Sequence, residues 1–263
     1  MLTAFAGAAV APASSAPFWF AGDDAAVFPL VSREFHETWL QDRLSIGLAF
    51  SHSKLTDASR PADKASNKTF VGFINKLDDE DEFGWSPALS FWAADYLRLT
   101  LGWDGVSGRT RNYNTESRHS DGIVEAGGPE FLVEGLLPLM NDTLFLHAGI
   151  GFSWQFCDFK EDPWWHLGYA SEASWRELGS STKKLRGDHY REIKVDDAFG
   201  WVLSAGVSWR PAARLELDFS LRHMWLEPDC KFGYRYRSGF EVHDTGDFPL
   251  DHLTAAATVS YVF

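Results

Sequence analysis

The last twelve residues constrain the fold more than any other stretch. From His252 to Phe263, Leu253, Ala255, Ala257, Val259, Tyr261 and Phe263 fall on one face, and His252, Thr254, Ala256, Thr258 and Ser260 on the other. This is the two-residue period of a strand. One oily face, one polar face and an aromatic ring near the boundary are what a transmembrane β-barrel asks of each stave. The aromatic carboxyl-terminal residue, Phe263, also resembles the signal by which barrel-assembly machinery takes up outer-membrane barrels. A barrel requires the same pattern to recur an even number of times.

It recurs. Leu44, Ile46, Leu48 and Phe50 face out in a first strand, and Phe83, Trp85, Leu89 and Phe91 in a second. A turn at Ala93, Ala94 and Asp95 leads to a third, with Leu97, Leu99, Leu101 and Trp103 out. The fourth, Ile123 to Leu136, is broken by Gly127, Gly128 and Pro129. Asn141 and Asp142 turn into a fifth that carries Leu144, Leu146, Ala148, Ile150, Phe152, Trp154 and Phe156 on one face. Phe199 to Trp209 and Leu215 to Trp225 give the sixth and seventh, joined at Arg210, Pro211 and Ala212, and the closing strand makes eight. Long and short connections alternate. Brief periplasmic turns and long extracellular loops, with both termini periplasmic, follow from that order. The expected fold is therefore all-β: an eight-stranded antiparallel transmembrane β-barrel over residues 41–263.

Composition serves mainly to exclude. A soluble eight-stranded barrel would fill its interior with apolar side chains and turn polar ones outward, whereas Gly, Ser, Thr and charges here share the face opposite a continuous Leu/Phe/Trp face. No apolar run reaches the 18 residues of a membrane helix, and 12 Trp suit membrane boundaries. A formal charge of -13 argues against nucleic acid as a partner. Two Cys exclude a disulfide scaffold or a Cys-rich zinc site, and nothing implies a cofactor or a metal. Residues 1–16 read as a signal-peptide-like segment lacking a basic start, or else as a plain tail. Residues 17–40 show no clean period and read as a periplasmic lead-in.

The segments WSPALSFWAADYLRLTLGW, FLVEGLLPLMNDTLFLHAGIGFSWQF, DDAFGWVLSAGVSWRPAARLELDFSLRHMWLEPD and AAATVSYVF resemble, in that order, the strands of the OmpW family of outer-membrane proteins. The resemblance covers most strands from Phe83 onward and leaves out the N-terminal region and the loops, several of which are longer than the family's. It implies a bacterial outer-membrane location and passive uptake of small hydrophobic molecules, which enter from outside and exit sideways through the wall into the bilayer. Lipids, lipopolysaccharide and such solutes are the partners expected. Prolines interrupt the matching strand in the family, which would make Gly127, Gly128 and Pro129 the lateral opening. From the residues alone, a proline removes a ladder hydrogen bond and opens the wall, or marks an ordinary bulge.

Charges cluster on the inner face. Arg98, Glu134, Glu216 and Asp218, with Arg43 at the base of the first strand and Arg222 higher in the seventh, should pair inside so narrow a barrel. They form a floor that blocks axial flow, or simply hold a closed barrel together. Trp164 and Trp165 would sit over the mouth as a hydrophobic way in, or anchor at headgroup level. The run Asp78 to Glu82 either bridges divalent cations to lipopolysaccharide or is merely solvated. Cys157 and Cys230, both at outer strand ends, either form a disulfide between the third and fourth long loops or stay unpaired thiols. An enzyme is not expected: His147 faces the lumen low on its strand, and His252 has no evident Ser partner. A structural or surface-binding barrel acting through its loops is the alternative to a channel. An apolar upper lumen would favour the channel and a fully ion-paired one the alternative.

Overall fold

The computed structural model describes residues 41–56, 76–79, 82–111, 122–140, 143–161, 189–236 and 241–263. Among them there is no helix. Eight strands close a ring: β1 (Leu44–Leu55), β3 (Glu82–Ala94), β4 (Leu97–Arg111), β5 (Gly122–Leu139), β6 (Leu144–Glu161), β8 (Ala198–Ala212), β9 (Leu215–Trp225) and β12 (His252–Val262). Each pairs antiparallel with its neighbours; β1 closes on β12 from Ser45↔Val262 to Leu55↔His252, and β4 on β5 from Leu97↔Gly135 to Arg109↔Ile123.

The alternation decides which way each side chain points. Ile150, Trp201, Leu203 and Leu221 lie exposed on the outer wall, Ile150 at 66% and Trp201 at 62%, while Ser153, Ser204, Ser208 and Glu134 on the opposite face are buried. An outer surface this apolar is stable only against lipid. Rings pack side by side on it, Phe131 with Phe152 and Phe152 with Phe199, both at 5.5 Å between centroids. The short connections gather at one end. Met140 takes a positive φ of 48° in the turn after β5, where its carbonyl accepts from the Thr143 hydroxyl at 2.8 Å.

Four further strands stand where the sequence reads as loop. β2 (Lys76–Asp79) adds to the top of β4, Asp79 opposite Gly108, so part of the acidic run is strand and Glu82 already opens β3. β7 (His189–Val195), β10 (Asp229–Tyr236) and β11 (Glu241–Asp247) form a separate three-stranded sheet on the long-loop side. These strands lie above the apolar belt, so no lipid-facing alternation announces them. Residues 1–40, the span of the signal-like segment and lead-in, lie outside the described residues, as do Trp164 and Trp165.

Candidate functional site

The lumen is stacked in layers, each set by the inward positions of the strands. At the short-turn end Trp92, Leu136 and Phe145 make an apolar plug, the two rings edge to face at 5.0 Å. Above it, Arg98 is the hub of an ionic layer. Its Nε donates to Glu134 at 2.8 Å, its Nη1 to Ser208 at 2.8 Å and Glu216 at 3.0 Å, and its Nη2 to Asp218 at 3.1 Å. His147 lies between Glu134 and Asp218, 3.1 and 3.0 Å away, close enough for charge attraction though off hydrogen-bond alignment. Arg210 adds a second guanidinium through Glu216 at 2.9 Å. Two guanidiniums and an imidazole thus meet three carboxylates in a largely buried layer, Arg210 at its partly exposed lower edge, where a missing partner for Arg98 would cost several kcal/mol.

Arg98, Glu134, Glu216 and Asp218 therefore meet as one cluster. Arg43 does not join it: its side chain is exposed at the short-turn rim, and its carbonyl stays in the β1–β3 wall, accepting from the Trp92 backbone N–H at 2.8 Å. The first strand enters the barrel at Leu44, one residue too late to carry Arg43 inside. Arg222 belongs to a second layer, paired with Glu130 and 3.9 Å from Asp104. Asp104 accepts from His252 Nε2 at 2.6 Å and from the Thr254 hydroxyl at 3.3 Å, and His252 Nδ1 faces the Leu250 carbonyl at 2.7 Å.

The top of the lumen is apolar. Val106, Val124, Leu132, Phe159, Met224, Leu226 and Phe232 gather round Phe248 and Leu250, which belong to a strap between β11 and β12 folded into the mouth. The strap is held by Phe248 N–H to the Pro228 carbonyl and Leu250 N–H to the Leu226 carbonyl, each 3.0 Å, and by Asp251 accepting from the Leu226 N–H at 2.8 Å. Cys157 and Cys230 both touch this cluster as unbridged thiols, so the disulfide offered by the sequence is not formed. Cys230 is buried in apolar contact instead of reaching toward the outer strand end.

Two seams interrupt the wall. Between β5 and β6 the pairing lapses from Gly127↔Phe156 to Glu130↔Ser153 without a change of register. The lapse is not an aperture. A Cβ on Gly128 would come within 2.9 Å of the Trp154 carbonyl carbon, and the Ser153 hydroxyl donates to the Pro129 carbonyl at 2.8 Å. The strands stay in contact, so Gly127, Gly128 and Pro129 weaken the ladder and leave the wall shut.

The wider seam is between β3 and β4. Pairing starts at Ala94↔Leu97 and ends at Leu89↔Leu101; among the described residues, 82–88 of β3 have no β4 partner across it. At ~3.4 Å a residue the unpaired stretch is about 20 Å long. Pro87 explains it. β3 pairs with β1 straight past Leu48↔Pro87, whereas the β4 ladder stops two residues short of the proline, which puts the lost donor on the seam. Small residues face inward along both lips, Gly84, Ser86 and Ala88 against Gly102, and a Cβ on Gly102 would meet nothing within 4 Å. A cavity of about 40 Å³, room for about one water, runs from these lips to Arg98, Glu134 and Arg222. Pro87 is legible inside SPALSF, between residues of clean alternation.

No family model matches this chain, and no curated protein does. Solved structures do. The outer membrane protein OprG from Pseudomonas aeruginosa overlays at a TM-score of 0.60 and 12% identity, over 86% of this chain and 97% of that one. Looser overlays are AlkL, solved in lipid bilayers (TM-score 0.49, 12% identity, 90% and 95% covered), and outer membrane protein W of E. coli (0.46, 14%, 85% and 99%). The comparison with OprG is enough to fix the architecture: the chain has the eight-stranded bacterial outer-membrane β-barrel fold that its resemblance to the OmpW family implies.

Proposed function

We propose that the barrel is a channel for passive uptake of small hydrophobic molecules, admitted to the apolar upper lumen from outside and released through the β3–β4 seam into the bilayer. The observation that carries this reading is the unpaired seam standing directly above an ion-paired floor. A solute that reaches the height of Val106 faces a wall without ladder hydrogen bonds on one side and the buried charges of Asp104, Glu130 and Arg222 beneath. Displacing ion pairs costs more than parting unbonded strands. Lipid and lipopolysaccharide are the surroundings in this reading, and Phe263 is the handle for the assembly machinery. No catalysis is included, because both His252 ring nitrogens already face acceptors.

A second reading has its own support. The occupied lumen and the ordered β7–β10–β11 sheet suit a closed barrel that works through its outer surface. Liposome uptake of a small hydrophobic solute by the refolded protein, with planar-bilayer conductance on the same sample, separates the two. Uptake with little ionic current supports lateral release. Neither uptake nor current overturns it in favour of the closed barrel, and large ionic current overturns both.

A further inference from the structure

The seam borders a polar chamber. Ser86 and Ala88 on one lip and Gly102 on the other edge the cavity of about 40 Å³, which reaches across the lumen to Ser220, Thr258 and Ser260 on β9 and β12. It is open because these strands bring nothing larger than threonine to those positions. Arg222 lies at its upper end and Arg98 at its floor. Two of the hydroxyls distinguish it from a chance void. Ser86 is 7% exposed and Ser260 8%, yet neither makes a hydrogen bond to another described residue. Neither is sealed off, since both line the cavity. Ser220 and Thr258 beside them are also without a described partner, whereas Thr100 is committed, donating to Glu134 at 2.9 Å.

The chamber thus offers hydroxyls and little else, because the ions around it answer one another: Arg98 holds Glu134, Glu216 and Asp218, and Arg222 holds Glu130. A hydroxyl both donates and accepts, and one left unmet away from water is unfavourable. A single water fits the space. A ligand that displaces it loses affinity unless it reproduces the same bonds. A hydrocarbon cannot do so. A carboxylate would join three carboxylates already sharing guanidiniums, and an ammonium would lie between Arg98 and Arg222; either would shed its hydration for no new partner. Only the polar head of a ligand fits, so its body has to occupy the seam, whose lips carry Trp85 and Trp103 exposed on the outer wall.

We propose that this chamber binds the hydroxyl of an uncharged alcohol or phenol dissolved in the bilayer, with the hydrocarbon body of the ligand lying in the β3–β4 seam. Ser86 and Ser260 hold the hydroxyl, and Gly102 leaves the passage between the lips clear. The site rests on the seam of the channel reading but not on transport. Saturable binding without liposome uptake leaves the site standing and refutes the channel; uptake without such binding does the reverse.

The test titrates the refolded full-length chain in nanodiscs with para-fluorophenol, read by ¹⁹F NMR, and runs empty nanodiscs of the same lipid in parallel so that simple dissolution in the bilayer is subtracted. Para-fluorotoluene, which puts a methyl group in place of the hydroxyl, and para-fluorobenzoate are the comparisons. Para-fluorophenol is expected to bind saturably, with the other two at least about tenfold weaker. The double variant Ser86→Ala, Ser260→Ala removes both hydroxyls without filling the chamber and should weaken para-fluorophenol roughly tenfold, the scale of two lost neutral hydrogen bonds. Gly102→Leu should weaken it by blocking the lips. A phenol signal no different from that in empty nanodiscs, equal binding of para-fluorotoluene, or undiminished affinity in a folded double variant or in folded Gly102→Leu would each overturn the proposal.

Discussion

Replacing Gly102 by leucine is the sharpest perturbation of the seam. Gly102 sits on the lumen face of β4 one residue above the last β3 pair, Leu89↔Leu101, and a Cβ there meets nothing within 4 Å. The new side chain therefore has room, and relief of glycine's backbone entropy should leave the fold unchanged or stabilise it by about 0.5–1 kcal/mol. Transport should respond in the opposite sense. The isobutyl group projects into the cavity that reaches the seam, about 40 Å³, and so stands between the lips. A solute would have to displace it, and a barrier raised by ~1.4 kcal/mol already slows passage tenfold. The assay is initial-rate uptake into liposomes beside urea unfolding of the same preparation. Slower uptake at undiminished stability supports release at β3–β4. Unchanged uptake in a folded Gly102→Leu barrel would remove the seam from the mechanism.

Pro129→Ala should restore a β5–β6 ladder bond and add stability of about 0.5–1.5 kcal/mol without slowing uptake; slowed uptake would return the exit to that strand. Arg98→Met strands Glu134, Glu216 and Asp218 without their hub and should cost about 3–5 kcal/mol, read as a lower urea midpoint, and a shift under ~1 kcal/mol would show the layer to be replaceable. Phe219→Arg places a charge on a side chain that is 55% exposed on the outer wall; a loss of about 2–4 kcal/mol in lipid is expected at mid-membrane depth, and full tolerance would mean that Phe219 does not face lipid.

Much of the barrel is legible in the sequence because lipid imposes one rule on every second residue. Ile150, Phe152 and Trp154 have to share a face, and so the strands, their number and their short turns can be read from the alternation. What lies above the membrane obeys no such rule. Lys231 and Phe232 in β10 alternate exposed and buried, yet the stretch around them carries enough Gly, Arg and Asp to read as loop. Inside the barrel the pattern gives direction without partners. Asp104 and Glu130 are evidently inward, but the layer each joins depends on register across strands far apart in sequence, such as Asp104 meeting His252. The two prolines make the same point. Pro129 stands out because Gly127 and Gly128 flank it, whereas Pro87 lies in clean alternation, and only the pairing on both sides of each strand tells which one parts the wall.

The order of layers limits what any solute can do. From the long-loop end it meets Phe248, Leu250 and the apolar cluster, which can yield to another apolar body because the solute covers the same apolar surface that the strap had covered. One level down stand Asp104, Glu130, Arg222 and His252, and below them the Arg98 layer. Neither gives an apolar body anything in exchange for its broken ion pairs, and a desolvated charge left alone costs several kcal/mol. The axial route thus becomes unfavourable at the height where β3 and β4 cease to be bonded to each other. An occupied upper lumen and a lateral seam are consistent with each other under the proposed channel: the strap would fill the apolar space in the absence of solute, and the seam would be where the lumen wall costs least to open.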